Sequence, residues 1–291
     1  MRARGGAGVS DARPHPRVLE LPRDDDGLAT TPQARRRLRE LLPAFLGDLT
    51  EDAGAERLVV ALDGGVDTAV AATLAAEAVG PDRVVGLVMP VHKSHEVAAR
   101  EAEAFASALG IDARRCNIRP ILGAFREVLG TVAEDPEDVV ALASAQERFR
   151  MACAYYLSNT ENGLVVGTVD RTDRLLGATA KYGDGGADCQ LLGDLYRTEV
   201  RSLARGLDLP EAFTDDSGRG GFEAGFGEGG DLDVDDRTLD RVLRRCIDEG
   251  YSPEATADRV GVDPRVVQRV LRWCRSTRHK RHTPPKPSMS G

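Results

Sequence analysis

One short segment narrows the choice of folds more than any other. The apolar run Leu58-Val59-Val60-Ala61-Leu62 leads straight into Asp63-Gly64-Gly65-Val66-Asp67-Thr68, and small residues then recur from Ala69 to Val79. A short apolar run that ends in glycines reads as a buried strand. The alanine-rich stretch reads as a helix packed close to a sheet. A strand, a glycine turn and a helix start aim backbone N–H groups at one point, which favours an anion such as phosphate. Gly64 and Gly65 permit the tight turn and a close approach of the anion. The pattern is not a Walker loop, because no Gly-Lys-Ser/Thr follows.

The alternation continues along the chain. Val84–Met89 reads as a second strand, Ser94–Leu109 as a helix, Ile111–Ile118 as a third strand, about 137–158 as a helix and Leu164–Val166 as a fourth strand ending in Gly167-Thr168. Pro32 opens an earlier helix that runs to about residue 49. Strands alternating with helices predict an α/β fold, a doubly wound parallel sheet with flanking helices. Ligands bind such sheets at the carboxyl ends of strands, where 63–68 and 167–173 both fall. After residue 174 the alternation fades. Residues 181–188 read as a polar glycine-rich loop, Leu195–Leu207 as a helix, and 214–236 as a flexible lid around Ser217. Short helices over about 237–249, 253–260 and 264–276 form a small C-terminal helical extension. Residues 1–30 read as a mobile N-terminal tail and 277–291 as a basic C-terminal segment, leaving 31–276 as the main domain.

Composition excludes several classes. The 291 residues are 41% hydrophobic but only 4% aromatic, so Val, Leu and Ala must fill the core. A net charge of −8 makes general nucleic-acid binding unfavourable and requires a local basic site for any anionic ligand. The five cysteines show no CxxC spacing, which predicts reduced thiols and no zinc site. No apolar run reaches membrane-spanning length and no signal peptide opens the chain, so a cytoplasmic protein is expected. Residues 250–274 also read like a helix-turn-helix, with Gly261 in the turn and Arg265, Gln268, Arg269 and Arg272 on its second helix. A DNA-binding regulator and a helical pair that merely packs on the core both fit that pattern.

Six motifs in order carry a resemblance. The glycine turn 63–68 is followed by Arg148-Phe149-Arg150-Met151, then Gly167-Thr168, then Lys181-Tyr182-Gly183-Asp184-Gly185-Gly186-Ala187-Asp188, then Gly193-Asp194-Leu195-Tyr196-Arg197-Thr198, and last His279-Lys280-Arg281 with Pro284-Pro285. Over about residues 35–287 the chain resembles the ammonia-dependent NAD synthetases, within the adenine nucleotide alpha-hydrolase-like ATP pyrophosphatases. Related amidating or thiolating enzymes share the glycine turn but not the 181–188 loop.

The resemblance implies a two-step reaction on deamido-NAD, with ATP as co-substrate, Mg²⁺ as metal and free ammonia as nitrogen source, in a homodimer. It implies that Asp63, Gly64, Gly65, Val66, Asp67 and Thr68 cradle pyrophosphate, joined by Thr168, Arg197 and Ser217. It assigns Asp67 and Asp173 to the metal, and Asp67, Asp173 and Arg197 to catalysis. It places deamido-NAD against Arg148, Lys181, Asp184, Asp188, His279 and Lys280. The chain departs from the family where Asp63 replaces a serine, Asp170 an asparagine and Asp173 a glutamate, and Ser217 lacks the usual flanks. An NAD synthetase impaired by Asp63 and a catalytically degenerate nucleotide-binding paralogue are therefore both open on the sequence.

Overall fold

Arg57–Leu62 forms the central strand, β1, and its neighbours are laid down on either side of it. The structure, a computed structural model, describes residues 20–132, 135, 138–210, 213 and 234–287. Helix α1 (Pro32–Ala53) precedes β1; α2 (Val66–Val79), β2 (Val84–Val88), α3 (Glu96–Leu109), β3 (Asp112–Arg115), α4 (Arg119–Leu129) and α5 (Val139–Thr160) follow. Then come β4 (Gly163–Gly167), α6 (Arg171–Leu176), β5 (Cys189–Gln190) and α7 (Arg197–Arg205). The five strands are parallel, in the order β3-β2-β1-β4-β5. The chain winds outward from β1 to β3, then crosses back to lay β4 on the other side of β1. That reversal opens a crevice above the carboxyl ends of β1 and β4.

Both faces of β1 are covered, which is why its sequence is apolar throughout rather than alternating. Leu58, Val60 and Leu62 pack with α2 in the main core, whereas Val59 faces Leu87, Val165 and Ala154 of α5 on the other side. Helix α2 is buried at eight consecutive positions, Thr68 to Ala75, because it lies between the sheet and α1, α3 and α7. Six of those eight are alanine or threonine, and the small side chains permit that enclosure. The third strand is shorter than Ile111–Ile118, since it lies at the sheet edge and pairs only with β2. The two-residue strand β5, inside the region read as irregular, extends the other edge.

The C-terminal extension consists of α8 (Asp236–Leu243), a wider turn over Arg244–Asp248, α9 (Pro253–Val260) and α10 (Pro264–Ser276). Val267, Val270 and Cys274 of α10 join Leu175, Leu176, Tyr196 and Leu243 in a second core. Gly261 takes φ +82° between α9 and α10, as the turn reading requires. This apolar face is committed to the protein interior, which accounts for the helical pair without invoking DNA.

The 1–30 tail reading needs correction for residues 24–30. Leu28 is 0% exposed and belongs to the second core, and the Ala29 N–H donates to Glu199 Oε1 at 2.6 Å. Asp24 and Asp26 pair with Arg237 of α8. An apolar residue flanked by charges has no visible periodicity, so its docking could not be read locally. The call on residues 1–19 lies outside the described residues. In the basic C-terminal segment, Arg278–Lys280 forms a 3₁₀ turn, and Arg281 donates to the carbonyls of Leu175 and Cys274. All five cysteines are free thiols.

Candidate active site

The glycine turn lies at the carboxyl end of β1. Gly64 has φ +90°, and a Cβ there would lie 3.2 Å from the Ala98 carbonyl oxygen, so both backbone and space demand glycine. Gly65 is the N-cap of α2 and has no side chain to satisfy the helix start. Asp63, two residues earlier, folds back onto the turn. Its Oδ1 accepts the Gly65 N–H at 2.8 Å and the Thr68 hydroxyl at 2.9 Å. Thr68 also faces the Gly65 carbonyl at 3.0 Å. The hydroxyl that the resemblance offers to pyrophosphate is thus engaged by the chain's own carboxylate. The cause is the aspartate that stands where the family has serine: a negative charge at a helix start attracts the same donors as a phosphate.

A second group gathers beside it. Asp67, in the first turn of α2, is half-buried, and its Oδ1 has no hydrogen-bond partner. Burial, reinforced by the Asp173 charge, pushes its carboxyl up to about 7, although Arg197 pulls the other way. Asp170 is the N-cap of α6, 0% exposed, and accepts the Asp173 N–H at 2.7 Å. Burial and the charges of Asp173 and Asp67 hold it well above the usual carboxylate range.

Arg197, the first residue of α7, is the cation of this group. Its guanidinium donates to Asp173 and, at 2.9 Å, to Asp236, and lies 3.8 Å from Asp170. Burial pulls it down, but those three carboxylates outweigh burial and hold it above its ordinary value. An arginine at a helix start reads from sequence as a sign of an anionic ligand. Here internal carboxylates satisfy the α7 start instead: Asp240 accepts from the Thr198 N–H at 2.8 Å and from Thr172 at 2.6 Å. The Arg197 charge is thus shared among Asp170, Asp173 and Asp236.

The third group comes from α5, the 181–188 loop and the C-terminal segment. Arg148 donates to the Lys181 carbonyl at 3.0 Å, and the Lys181 ammonium donates to the His279 carbonyl at 3.0 Å. Lys280 donates to the Gly177 carbonyl at 2.8 Å. Residues far apart in sequence are thus brought to one rim. Asp184 lines the cleft, pushed by burial up to about 6, with Arg150 opposing and Asp63 adding to the rise. Asp188 is not in the cleft. Its carboxylate accepts the Val165 N–H at 2.8 Å and the Tyr155 hydroxyl at 3.0 Å, pinning the loop to β4 and α5.

Together these groups border one cleft of about 350 Å³ above the β1/β4 crevice. Asp63, Gly65, Asp67 and Thr68 form one wall, Thr168 and Asp173 another, and Asp184 the third. Sequence reasoning missed two of its side chains, His95 and Glu147, whereas Arg150 of the 148–151 motif lines it as well. Glu147 and His95 had no local signal. Ser217 lies outside the described residues.

A parallel sheet with a glycine turn at its switch point and paired carboxylates above it defines an adenine-nucleotide-binding α/β domain of the alpha-hydrolase type. The NAD synthase family profile matches residues 38–284. The NH(3)-dependent NAD(+) synthetase of Halobacterium salinarum is 36% identical over 249 residues, covering 86% of this chain and 92% of that protein. The Methanosarcina mazei enzyme of the same description is also 36% identical, over 84% of this chain and 95% of its own. Among solved structures, an NMN synthetase from Francisella tularensis superposes with TM-score 0.73 at 25% identity, over 88% of this chain and 99% of that one. An NH3-dependent NAD synthetase from Campylobacter jejuni superposes with TM-score 0.72 at 23% identity, over 87% and 99%. The chain belongs to the NAD synthase family.

Proposed function

We propose that the chain is an ammonia-dependent NAD synthetase. It is a ligase forming a C–N bond, with ATP as co-substrate. The nicotinate carboxylate of deamido-NAD attacks the α-phosphate of ATP, pyrophosphate leaves, and ammonia displaces AMP from the adenylate. Such chemistry needs alignment and charge neutralisation more than a protein nucleophile. The backbone N–H groups at the start of α2 receive the leaving pyrophosphate. Thr168 lies where β4 ends, at the nucleotide. The rim of Arg148, Lys181, Asp184, His279 and Lys280 receives deamido-NAD, and Asp188 positions that rim through Val165 and Tyr155. Arg197 acts by fixing Asp173, with its charge shared among carboxylates.

The residues fit a magnesium ion. Asp67 keeps an unpartnered buried oxygen beside the charge of Asp173. Among the described residues no cluster of three or more His, Cys, Asp or Glu is arranged to hold a metal. Two carboxylates suffice for Mg²⁺ when substrate phosphates complete its shell. When bound, the ion supplies neutralisation of the phosphate charge. A homodimer and a cytoplasmic location belong to the same proposal; among the described residues no helix is long and apolar enough to cross a membrane.

The observation that carries this reading is family membership over residues 38–284, together with one cleft that holds the glycine turn, the carboxylate pair and Asp184. The test is conversion of deamido-NAD to NAD with ATP, Mg²⁺ and ammonium, run beside nicotinate mononucleotide. Preference for the mononucleotide would favour the reaction named for the Francisella relative. Binding of deamido-NAD without turnover would favour the degenerate paralogue.

A further inference from the structure

Two thiols face each other beside the cleft, and the reaction above uses neither. The sulfurs of Cys116 and Cys153 are 4.0 Å apart. Both residues are half-buried, so a small solute reaches them from water. Cys116 directly follows β3, and its N–H donates to the Val88 carbonyl of β2 at 2.9 Å. That bond ties its backbone to the sheet. Cys153 lies on α5 between Met151 and Ala154, which both line the cleft. Glu147 and Arg150, earlier on the same helix, line it too. The remaining thiols are placed differently. Cys189 is buried on β5, Cys274 is buried in the second core, and Cys246 faces the Thr256 hydroxyl at 3.2 Å.

We propose that Cys116 and Cys153 form a redox-modification site, a dithiol that a hydroperoxide converts to a reversible disulfide, and that the cross-link slows the enzyme. The effect on activity rests on the synthetase reading; the cross-link does not. A disulfide holds its sulfurs about 2.05 Å apart, so they must approach by roughly 2 Å. The Cys116 backbone is tied to β2, so the displacement falls mainly on α5. That helix carries side chains of the cleft, and their alignment is lost.

Burial, then the neighbouring Cys116, push the Cys153 thiol up to about 11, which makes Cys116 the attacking sulfur and Cys153 the resolving one. Cys116 gives its proton to solvent, and the thiolate attacks one oxygen of the peroxide. The O–O bond breaks, and the departing hydroxide takes a proton and leaves as water. Cys116 is then a sulfenic acid. The Cys153 sulfur attacks the Cys116 sulfur, the S–O bond breaks, and hydroxide leaves as water with the Cys153 proton. Each sulfur is oxidised by one electron, and the peroxide is reduced to water. A dithiol reductant reverses the cross-link by thiol–disulfide exchange.

The test treats the reduced full-length protein with hydrogen peroxide and then caps the remaining thiols with an alkylating agent. The intact protein should lose two hydrogens, and its digest should contain a Cys116–Cys153 cross-linked peptide that dithiothreitol removes. Deamido-NAD-dependent ATP–pyrophosphate exchange should fall about tenfold on oxidation, as expected for groups misplaced by about 1 Å, and return with dithiothreitol. Cys116→Ser and Cys153→Ala should each keep wild-type exchange and lose the peroxide effect. Treated protein in which both Cys116 and Cys153 still take the alkylating agent overturns the proposal, as does a cross-link between other cysteines in its place. A Cys116–Cys153 cross-link with unchanged exchange overturns the claim that it slows the enzyme. Absence of exchange in the untreated wild type overturns the synthetase reading alone, because the digest decides the dithiol site by itself.

Discussion

Replacing Asp63 by serine should tighten ATP binding. The carboxylate holds the Gly65 N–H and the Thr68 hydroxyl, two donors at the place proposed for pyrophosphate. A phosphate about 4 Å from that charge is repelled by roughly 4 kcal/mol at an effective dielectric of 20. Asp63 is exposed, so water and salt cut this to about 1–2 kcal/mol. At 1.4 kcal/mol per factor of ten, the Kd for magnesium-ATP falls about tenfold. Asp63→Asn separates charge from hydrogen bonding, because its amide oxygen still accepts both donors; it should recover most of the gain. Isothermal titration at two salt concentrations measures this, with a smaller gain at high salt. Unchanged or weaker ATP binding in folded Asp63→Ser would refute the claim that the carboxylate competes with phosphate.

Three further outcomes follow from the same geometry. Arg197→Met leaves Asp170 and Asp173 without their cation and should cost about 3–5 kcal/mol in urea unfolding; a loss below 1 kcal/mol would mean water already screens those carboxylates. Leu28→Ala should cost about 2–5 kcal/mol, because its fully buried side chain joins the N-terminal segment to the second core; a neutral result would make 24–30 a tail after all. Glu147, Asp184 and Asp240 have folded-state values raised to about 7, 6 and 6, so the native protein binds protons that the unfolded chain has released. Stability should therefore fall as pH rises from about 4 to 7, and Glu147→Gln should be more stable relative to wild type at pH 8 than at pH 5, by thermal unfolding.

Much of the fold was legible because it depends on short-range patterns. Apolar runs ended by glycine or proline named β1, β2 and β4, and their alternation with helices set the parallel sheet. The resemblance singled out Asp67, Thr168, Asp173 and Asp184, and the structure brings all four to one cleft. Glu147 escaped because an acidic residue beside two arginines on a long helix looks like solvated surface. Only the packing of α5 against the 181–188 loop turns it inward. Leu28 escaped for a similar reason: one leucine among aspartates gives no period to read.

By itself the sequence determined where strands, turns and helix starts fall, since backbone preference and burial periodicity act between near neighbours. Tertiary structure alone decided which charges meet. Arg197 drawn into a triad of carboxylates and Lys181 reaching His279 each depend on where distant segments come to rest. Electrostatic energy depends on distance in space and on local dielectric, and neither quantity is written along the chain.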